Sequence, residues 1–297
     1  MSSIALRTPK SDTFEAKDRR WAWFHALRRH PLALVGGGII ILAVLLAIFA
    51  PWIAPYSYEQ QNLLAPFQPP LSDGHLLGTD DLGRDVLSRM LYGSRVSLLA
   101  GGLTALIAGT VGLTVGLTAG YYGGRVDTIL SRIIDGVLAM PALLLGLALG
   151  AVFRPGLTTI VASLGLVFWA SYARIIRGDA LGMRQAPFIE AARALGCRDS
   201  RIIIRHILPN VVPILLVLSS LTIAGAIIVE AGLSFLGVGI QPPEPSWGSM
   251  LSQGRAFIYT AWWLSTVPGV AIVIVVLGFN LFGDGLRDIS DPRLRGR

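Results

Sequence analysis

Long apolar stretches alternate with shorter polar segments along this chain of 297 residues. A helix needs about 20 apolar residues to cross the hydrocarbon core of a bilayer, and six stretches reach or approach that length. These predicted spans are 32–53, 96–120, 133–152, 157–173, 211–229 and 264–283. Composition agrees, because 53% of the residues are hydrophobic and only 14% are charged. The pattern therefore predicts an all-α integral membrane protein with six transmembrane helices.

Lysine and arginine are divided unevenly between the two sides that six spans create. An even number of spans puts both termini on one side, and that side holds 20 of the 25 Lys and Arg residues. Cytoplasmic segments carry such an excess, so both termini are predicted to lie in the cytoplasm. The net charge of +7 then reflects topology, and nucleic-acid binding is disfavoured because no motif of that class occurs.

The polar segments divide the chain into four predicted parts. They are an N-terminal cytoplasmic segment at 1–31, the first span with an outer segment at 32–94, a five-helix core at 95–284 and a cytoplasmic tail at 285–297. In the first part, Trp21 and Trp23 lie beside arginines, which allows either a short interfacial helix or a solvated tail.

The outer segment ends in a stretch that can form a helix on the membrane surface. Thr79 or Asp80 can cap such a helix. Leu82, Val86 and Met90 then share one of its faces. The second span follows as a separate predicted helix.

Glycines recur at four-residue intervals on the second span, at Gly112, Gly116, Gly120 and Gly124. This spacing puts a flat groove along one helix face, where another backbone can approach closely. The face either lies near a transport path or serves helix packing alone, and the second interpretation is favoured.

The polar segment 174–210 between the fourth and fifth spans is too long for a simple connection. Pro187 suits the first turn of a helix, and Glu190 lies where the positive end of that helix favours an anion. Gly196 can adopt the left-handed conformation that ends it. These signals predict a short helix that begins near residue 187 and stops at a sharp turn.

A second helix is predicted to begin at Asp199 or Ser200 and to end at Pro209. The segment thus forms a helix–turn–helix exposed to the cytoplasm. Three small side chains lie on its first helix: Ala191, Ala192 and Ala194. A thin helix of this kind suits a groove on another protein.

The run Glu190-Ala191-Ala192, with Gly196 and then Leu208-Pro209 after it, resembles the EAA loop of bacterial ABC importer permeases. His206 stands where the usual pattern has Ile, and the variant His-Ile-Leu-Pro-Asn resembles the dipeptide and oligopeptide branch. So do the segments 77–92, 230–243 and 245–248 and the ending Asp291-Pro292-Arg293. The resemblance extends over nearly the whole chain from His30 onward.

The resemblance implies a type I importer permease whose helix–turn–helix couples to a separate ATPase. The coupling residues that it implies are Glu190, Ala191, Ala192, Leu195, Gly196, Leu208 and Pro209. It also implies a second, related permease, one or two ATPase subunits and an external binding protein as partners in a bacterial inner membrane. Peptides are the expected cargo, with nickel or glutathione as alternatives. The alternative for the loop itself is an ordinary amphipathic connector.

Energy must then come from another polypeptide, because a phosphate-binding P-loop needs a lysine and the chain's two lysines, Lys10 and Lys17, lie in no such loop. The chain itself is predicted to be no enzyme and to bind no metal or cofactor, with ATP and Mg²⁺ on the ATPase. A self-powered channel or secondary transporter is disfavoured, since Asp135 and Glu230 are the only carboxylates near membrane depth.

Glu230 and a set of three aspartates each allow two interpretations. Glu230 either meets a substrate amine on the translocation path or pairs locally, and local pairing is favoured. An acid/base cluster would make the chain a membrane enzyme, and its residues would be Asp80, Asp81 and Asp85. Capping and surface roles explain these three aspartates more simply.

Overall fold

The computed structural model describes residues 30–290. The interfacial helix predicted near Trp21 and Trp23 and the ending Asp291-Pro292-Arg293 lie outside these residues. The helices of the described part are α1 (Pro31–Ile53), α2 (Val86–Tyr122), α3 (Gly124–Leu138), α4 (Ala142–Val152), α5 (Leu157–Arg184), α6 (Pro187–Ala194), α7 (Asp199–Phe235), α8 (Trp247–Gly254) and α9 (Trp263–Ser290). This mostly helical architecture confirms the predicted fold class.

Five of these helices, α1, α2, α5, α7 and α9, are long and apolar enough to cross a membrane. The third predicted span, 133–152, is not one continuous helix. It divides into α3 and α4, which meet at a bend of 81°. Pro141 causes the break, since it lacks a backbone N–H and disfavours a helical residue before it. At 11 residues, α4 is too short to span the bilayer alone.

The prediction of a surface helix that starts at Thr79 or Asp80 is wrong. The chain forms turns there, with the Asp80 carboxylate accepting from the backbone N–H of Leu82 at 2.9 Å, and Gly83 has φ +68°. Asp85 is the true cap, because its carboxylate accepts from the backbone N–H of Ser88 at 2.7 Å. From there α2 runs unbroken for 37 residues across the domain boundary predicted at residue 95. The domain division itself stays a prediction.

The predicted stop at Pro209 is also wrong, because α7 continues through it. The helix changes to a π-turn at Ile203–Ile207 and resumes at Leu208. Pro209 therefore falls in the first turn after a change of hydrogen-bond spacing, where its missing N–H interrupts little. The second helix of the helix–turn–helix and the fifth span are thus one element.

Three of the four spaced glycines form the predicted packing face. A Cβ added at Gly112, Gly116 or Gly120 would lie 2.4, 2.8 and 2.6 Å from atoms of α5. Gly124 differs, because a Cβ there would meet nothing within 4 Å. The backbones of α2 and α5 therefore approach each other closely from Gly112 to Gly120.

One short helix, α8, was not predicted. It begins with a capping box in which the Ser246 and Ser249 side chains each accept from the other residue's backbone N–H. Trp247 and Met250 are buried against the neighbouring helices. The Ser-x-x-Ser spacing after a proline is the local signal that could have revealed this helix.

The bundle has two distinct ends. At one end, which we call the helix–turn–helix end, the last turn of α2 contacts the first turn of α7 through Tyr121 and Asp199. At the other, the α8 end, the beginning of α2 and the last turns of α7 meet α8 through Ser97 and Glu230. The placement of the helix–turn–helix end in the cytoplasm stays a prediction.

Candidate functional site

The first helix of the helix–turn–helix, α6, forms where the local signals placed it. Pro187 is its first residue, and Glu190 lies in its first turn. Gly196 has φ +75° in the turn that follows. Its N–H donates to the carbonyl of Arg193 at 2.9 Å, and the N–H of Cys197 donates to the carbonyl of Ala192 at 3.1 Å. These two bonds form a Schellman motif, which ends the helix sharply.

α6 has one buried face and one exposed face. Ile189 and Ala192, three residues apart, point into the bundle and are buried. Glu190 and Ala191 are exposed, and the side chain of Leu195 beyond them is 85% exposed. Ala192, which was predicted among the coupling residues, is therefore part of the base on which α6 rests, because its position on the helix turns it inward.

An apolar cluster holds α6 on the bundle. Ile189 packs with Ile202 and Ile207 of α7 and with Ile176 of α5, and all four side chains are fully buried. A buried Ile is worth about 1.5–3 kcal/mol relative to an exposed one. The cluster therefore gives the short helix a stability that its eight residues could not supply alone.

A hydrogen bond that sequence reasoning missed ties the same end together. The Tyr121 hydroxyl donates to the Asp199 carboxylate at 2.6 Å. The guanidinium of Arg193 lies 5.2 Å from the centre of the Tyr121 ring. One side chain on α2 thus contacts the last turn of α6 and the first turn of α7.

The remaining predicted coupling residues lie beyond the π-turn. Leu208 is half-buried against the same apolar cluster, whereas Pro209 is exposed. The structure brings Glu190, Ala191, Leu195 and Gly196 onto one exposed surface, with Pro209 on the adjoining helix. Their docking role stays a prediction.

Basic side chains lie beside part of this exposed surface. Arginines line two shallow depressions on it: Arg198, Arg201 and Arg205. Leu195 and Gly196 line the first depression, and Pro209 lines the second. The exposed turn at Leu195 and Gly196 therefore has positive charge next to it.

Two ion pairs join α3 to α5 near this end. Arg177 bonds Asp127 through two nitrogen–oxygen contacts, one of them at 2.8 Å. Arg174 pairs with Asp135, and both of these side chains are more than half exposed. Asp135 is therefore partnered by a neighbouring helix.

Glu230 lies near the last turn of α7 at the α8 end, with no exposed surface. Its Oε1 accepts from the hydroxyls of Ser234 at 2.8 Å and Ser246 at 2.9 Å. The hydroxyl of Ser97 lies 3.5 Å from Oε2. This geometry fits the local-pairing interpretation, and a role on the translocation path stays a prediction.

The aspartates 80, 81 and 85 do not converge into an acid/base site. Asp80 is buried and pairs with Arg84 at 2.7 Å and with Arg89. Asp85 caps α2 and also contacts His75 Nδ1 at 2.9 Å. Across residues 30–290, no group of three or more His, Cys, Asp or Glu side chains could hold a metal ion.

Five long apolar helices, a bent pair and an exposed helix–turn–helix are the features of a multi-pass membrane protein. The chain belongs to the family described as binding-protein-dependent transport system inner membrane component, which matches residues 112–296. Residues 20–70 also match the N-terminal TM domain of oligopeptide transport permease C. The protein is therefore an inner-membrane permease of the ABC importer type, a class that works with an ATPase, a binding protein and a second permease.

Curated relatives cover nearly the whole chain. A putative peptide transport system permease protein of Brucella abortus is 43% identical over 91% of this chain and 90% of that protein. The probable D,D-dipeptide transport system permease protein DdpC of Escherichia coli K12 is 40% identical over 99% of this chain and 97% of that protein. The glutathione transport system permease protein GsiD of Escherichia coli O6:K15:H31 is 42% identical over 92% of this chain and 90% of that protein.

Among solved structures, an inward-facing MetNI methionine ABC transporter has the same fold. It superposes with a TM-score of 0.56 at 20% identity, over 68% of this chain and 97% of that one. This similarity confirms the type I importer permease fold that the sequence predicted.

Proposed function

We propose that this chain forms, with a second permease, the path by which peptides cross the cytoplasmic membrane, and that α6 docks into a partner ATPase. The docking proposal rests on one observation: the turn that ends α6, which we call its exposed tip (Leu195 and Gly196), stands beside a buried helix face. Ile189 and Ala192 anchor the helix, while Leu195 and Gly196 project from the bundle. A short helix presented in this way fits a groove on another protein.

The geometry suits the transmission of movement. A force on the tip passes through the Schellman turn into α7, and through the Tyr121–Asp199 hydrogen bond into α2. Because the apolar cluster of Ile176, Ile189, Ile202 and Ile207 that holds α6 is fully buried, we expect the spans to move together with α6. ATP-driven closure of two ATPase subunits would then swing the permease from inward-facing to outward-facing.

The chemistry of the docking groove follows from the surface of the turn. The side chain of Leu195 would contribute about 1.5–3 kcal/mol on burial in an apolar pocket. The neighbouring guanidinium groups of Arg198, Arg201 and Arg205 call for carboxylates on the adjoining edge of that pocket. The partner surface is therefore an apolar groove with an acidic edge.

The chain itself catalyses nothing and binds no cofactor in this proposal. A P-loop lysine is missing from the sequence, whose two lysines are Lys10 and Lys17, so ATP and Mg²⁺ belong to the partner. The excess of basic residues supports the assignment of both termini to the cytoplasm.

Peptides are the proposed cargo because two of the relatives described above are named as peptide or dipeptide permeases. Glutathione, which is itself a short peptide derivative, is the second candidate because a third relative is named for it. The two can be separated by uptake measurements on one reconstituted complex, with Ni²⁺ as a third solute.

The test of docking is affinity purification of the chain in mild detergent, with Gly196→Val and Gly196→Asn as matched variants. A Cβ at Gly196 meets no atom within 4 Å, so crowding at Cβ excludes neither variant, and the two differ in how well they tolerate φ +75°. Asn visits this conformation readily and a β-branched residue does not. We expect the ATPase to co-purify with wild type and Gly196→Asn and to be depleted with Gly196→Val.

Equal recovery of the ATPase with all three chains would contradict docking through this turn. Uptake is then measured in proteoliposomes that hold the complex and its binding protein. ATP-dependent uptake of a labelled dipeptide supports the proposal, whereas uptake without ATP would place the chain among channels or secondary transporters.

A further inference from the structure

The buried carboxylate of Glu230 has no basic partner among residues 30–290, and hydroxyl groups surround it instead. An isolated carboxylate is costly to place in an apolar bundle, so its presence there calls for a specific role. Its four lone-pair positions allow it to accept several hydrogen bonds at once, which no apolar side chain of the same size can do.

These hydrogen bonds join three helices. Ser246, the N-cap of α8, donates to Glu230 of α7 at 2.9 Å while its own oxygen accepts from the N–H of Ser249 at 3.0 Å. Ser97 of α2 lies 3.5 Å from the same carboxylate and accepts from the N–H of Trp247 at 3.2 Å. Glu230 thus holds the first turn of α8 against both α2 and α7.

Close packing reinforces this junction. A Cβ added at Gly248 would lie 2.6 Å from Ala231 Cα and 3.1 Å from each carboxylate oxygen of Glu230. The indole N–H of Trp247 donates to the carbonyl of Met90 at 3.1 Å. α8 therefore lies in contact with the α7 backbone, where even a methyl group has no room.

The other end of α8 is held by separate contacts. Gln253 accepts from Arg89 of α2 at 3.0 Å, and Arg89 also pairs with the buried Asp80. A Cβ at Gly254 would lie 2.6 Å from the backbone of Leu264 in α9. Release of the first turn would therefore let α8 pivot about its last turn.

We propose that Glu230 is a positioning residue for transport, which fastens α8 across α2 and α7 so that the α8 end follows the helix–turn–helix end as one body. α7 connects the two ends directly, because Asp199 and Glu230 are separated by about 45 Å of helix. Movement applied at α6 reaches the α8 end only if the elements there are fixed to α7. The inference rests on the proposed coupling function.

The test uses the assembled transporter in proteoliposomes, where ATP hydrolysis and peptide uptake are measured on the same preparation. The variants Glu230→Ala, Ser246→Ala and Gly248→Ala each disturb the junction in a different way. Glu244→Gln is the matched control, since this carboxylate lies in the loop just before α8 and is exposed. Glu230→Gln is the conservative variant, because its amide oxygen can still accept from a serine hydroxyl.

We expect the three junction variants to hydrolyse ATP but to lower uptake per ATP roughly tenfold. A tenfold change corresponds to the cost of leaving about one buried hydrogen-bonding group without its partner. Glu230→Gln should have an uptake per ATP between those of Glu230→Ala and wild type, and Glu244→Gln should match wild type. If Glu230→Ala does not assemble, Ser246→Ala and Gly248→Ala decide the question alone.

Three results would overturn the proposal. A parallel fall in hydrolysis and uptake, with an unchanged ratio, would make the junction merely structural. An unchanged ratio with full activity would make it dispensable. A changed KM for peptide in Glu230→Gln but not in Ser246→Ala would assign Glu230 to the translocation path. A wild-type complex without ATP-driven uptake would instead refute the proposed function.

Discussion

The glycine face between α2 and α5 allows one perturbation to be worked through in numbers. In Gly116→Ala the new Cβ would lie 2.8 Å from the Ala173 carbonyl oxygen and 2.9 Å from Ile176 Cβ. Neither atom is the end of a flexible side chain, so the helices must separate. Overpacking of this kind costs about 1–3 kcal/mol.

A matched control exists on the same helix. At Gly102 an added Cβ meets nothing within 4 Å, so Gly102→Ala brings only the conformational benefit of alanine in a helix, about 0.5–1 kcal/mol. Gly116→Ala gains the same benefit but loses more through overpacking. We therefore expect the two variants to move stability in opposite directions, with Gly116→Ala about 2 kcal/mol below Gly102→Ala.

The assay is thermal unfolding of the purified chain in one detergent, followed by loss of monodispersity and by tryptophan fluorescence. A difference of about 2 kcal/mol corresponds to several degrees in Tm for a chain of this size. Equal Tm values for Gly116→Ala and Gly102→Ala would refute the reasoning, since they would show that α2 and α5 do not pack backbone to backbone at this point.

Two further predictions follow from hydrogen bonds of named side chains. Asp85→Ala removes the cap that accepts from the Ser88 N–H and hydroxyl, each at 2.7 Å, and also the contact with His75 Nδ1 at 2.9 Å, so it should destabilise the chain by about 2–3 kcal/mol. Asp81→Ala should change Tm little, a contrast that thermal unfolding checks. Tyr121→Phe keeps the ring but removes the 2.6 Å donor to Asp199, so ATPase recovery should fall less than in Gly196→Val; a full loss of ATPase would contradict this ranking.

Local signals predicted α6 well because each one acts within a few residues. Pro187 suits only the first turn of a helix, and Gly196 supplies the left-handed turn that ends it. Which face of α6 points inward depends on where α5 and α7 lie. That information is absent from the segment itself, so the sequence did not reveal that Ala192, one of the predicted coupling residues, lies on the buried face.

Apolar length located the spans but not their ends. The first turns of α2 contain Arg89, a charge that hydropathy excludes from a membrane helix. Arg89 is nevertheless buried, because Asp80 and Gln253 partner it. Gln253 is 164 residues away in the sequence. The extension of α2 outward therefore depends on contacts that no local pattern reveals.

The same reason hid the environment of Glu230. Its partner Ser97 lies 133 residues away along the chain, and Ser246 lies 16 residues away beyond the turn after α7. The position of Glu230 near the end of an apolar stretch allowed either a place on the translocation path or local pairing. The fold instead encloses it completely, because α8 covers the end of α7.

The central claim is that the exposed tip of α6 docks on an ATPase, and photo-crosslinking in living cells tests it most directly. A photoreactive amino acid is placed at Leu195, which is 85% exposed, or at Leu64, which is 98% exposed in the outer segment before α2. We predict a crosslinked product that contains a P-loop ATPase from position 195 and none from position 64. Absence of that product at 195, or its equal formation at 64, would contradict the account.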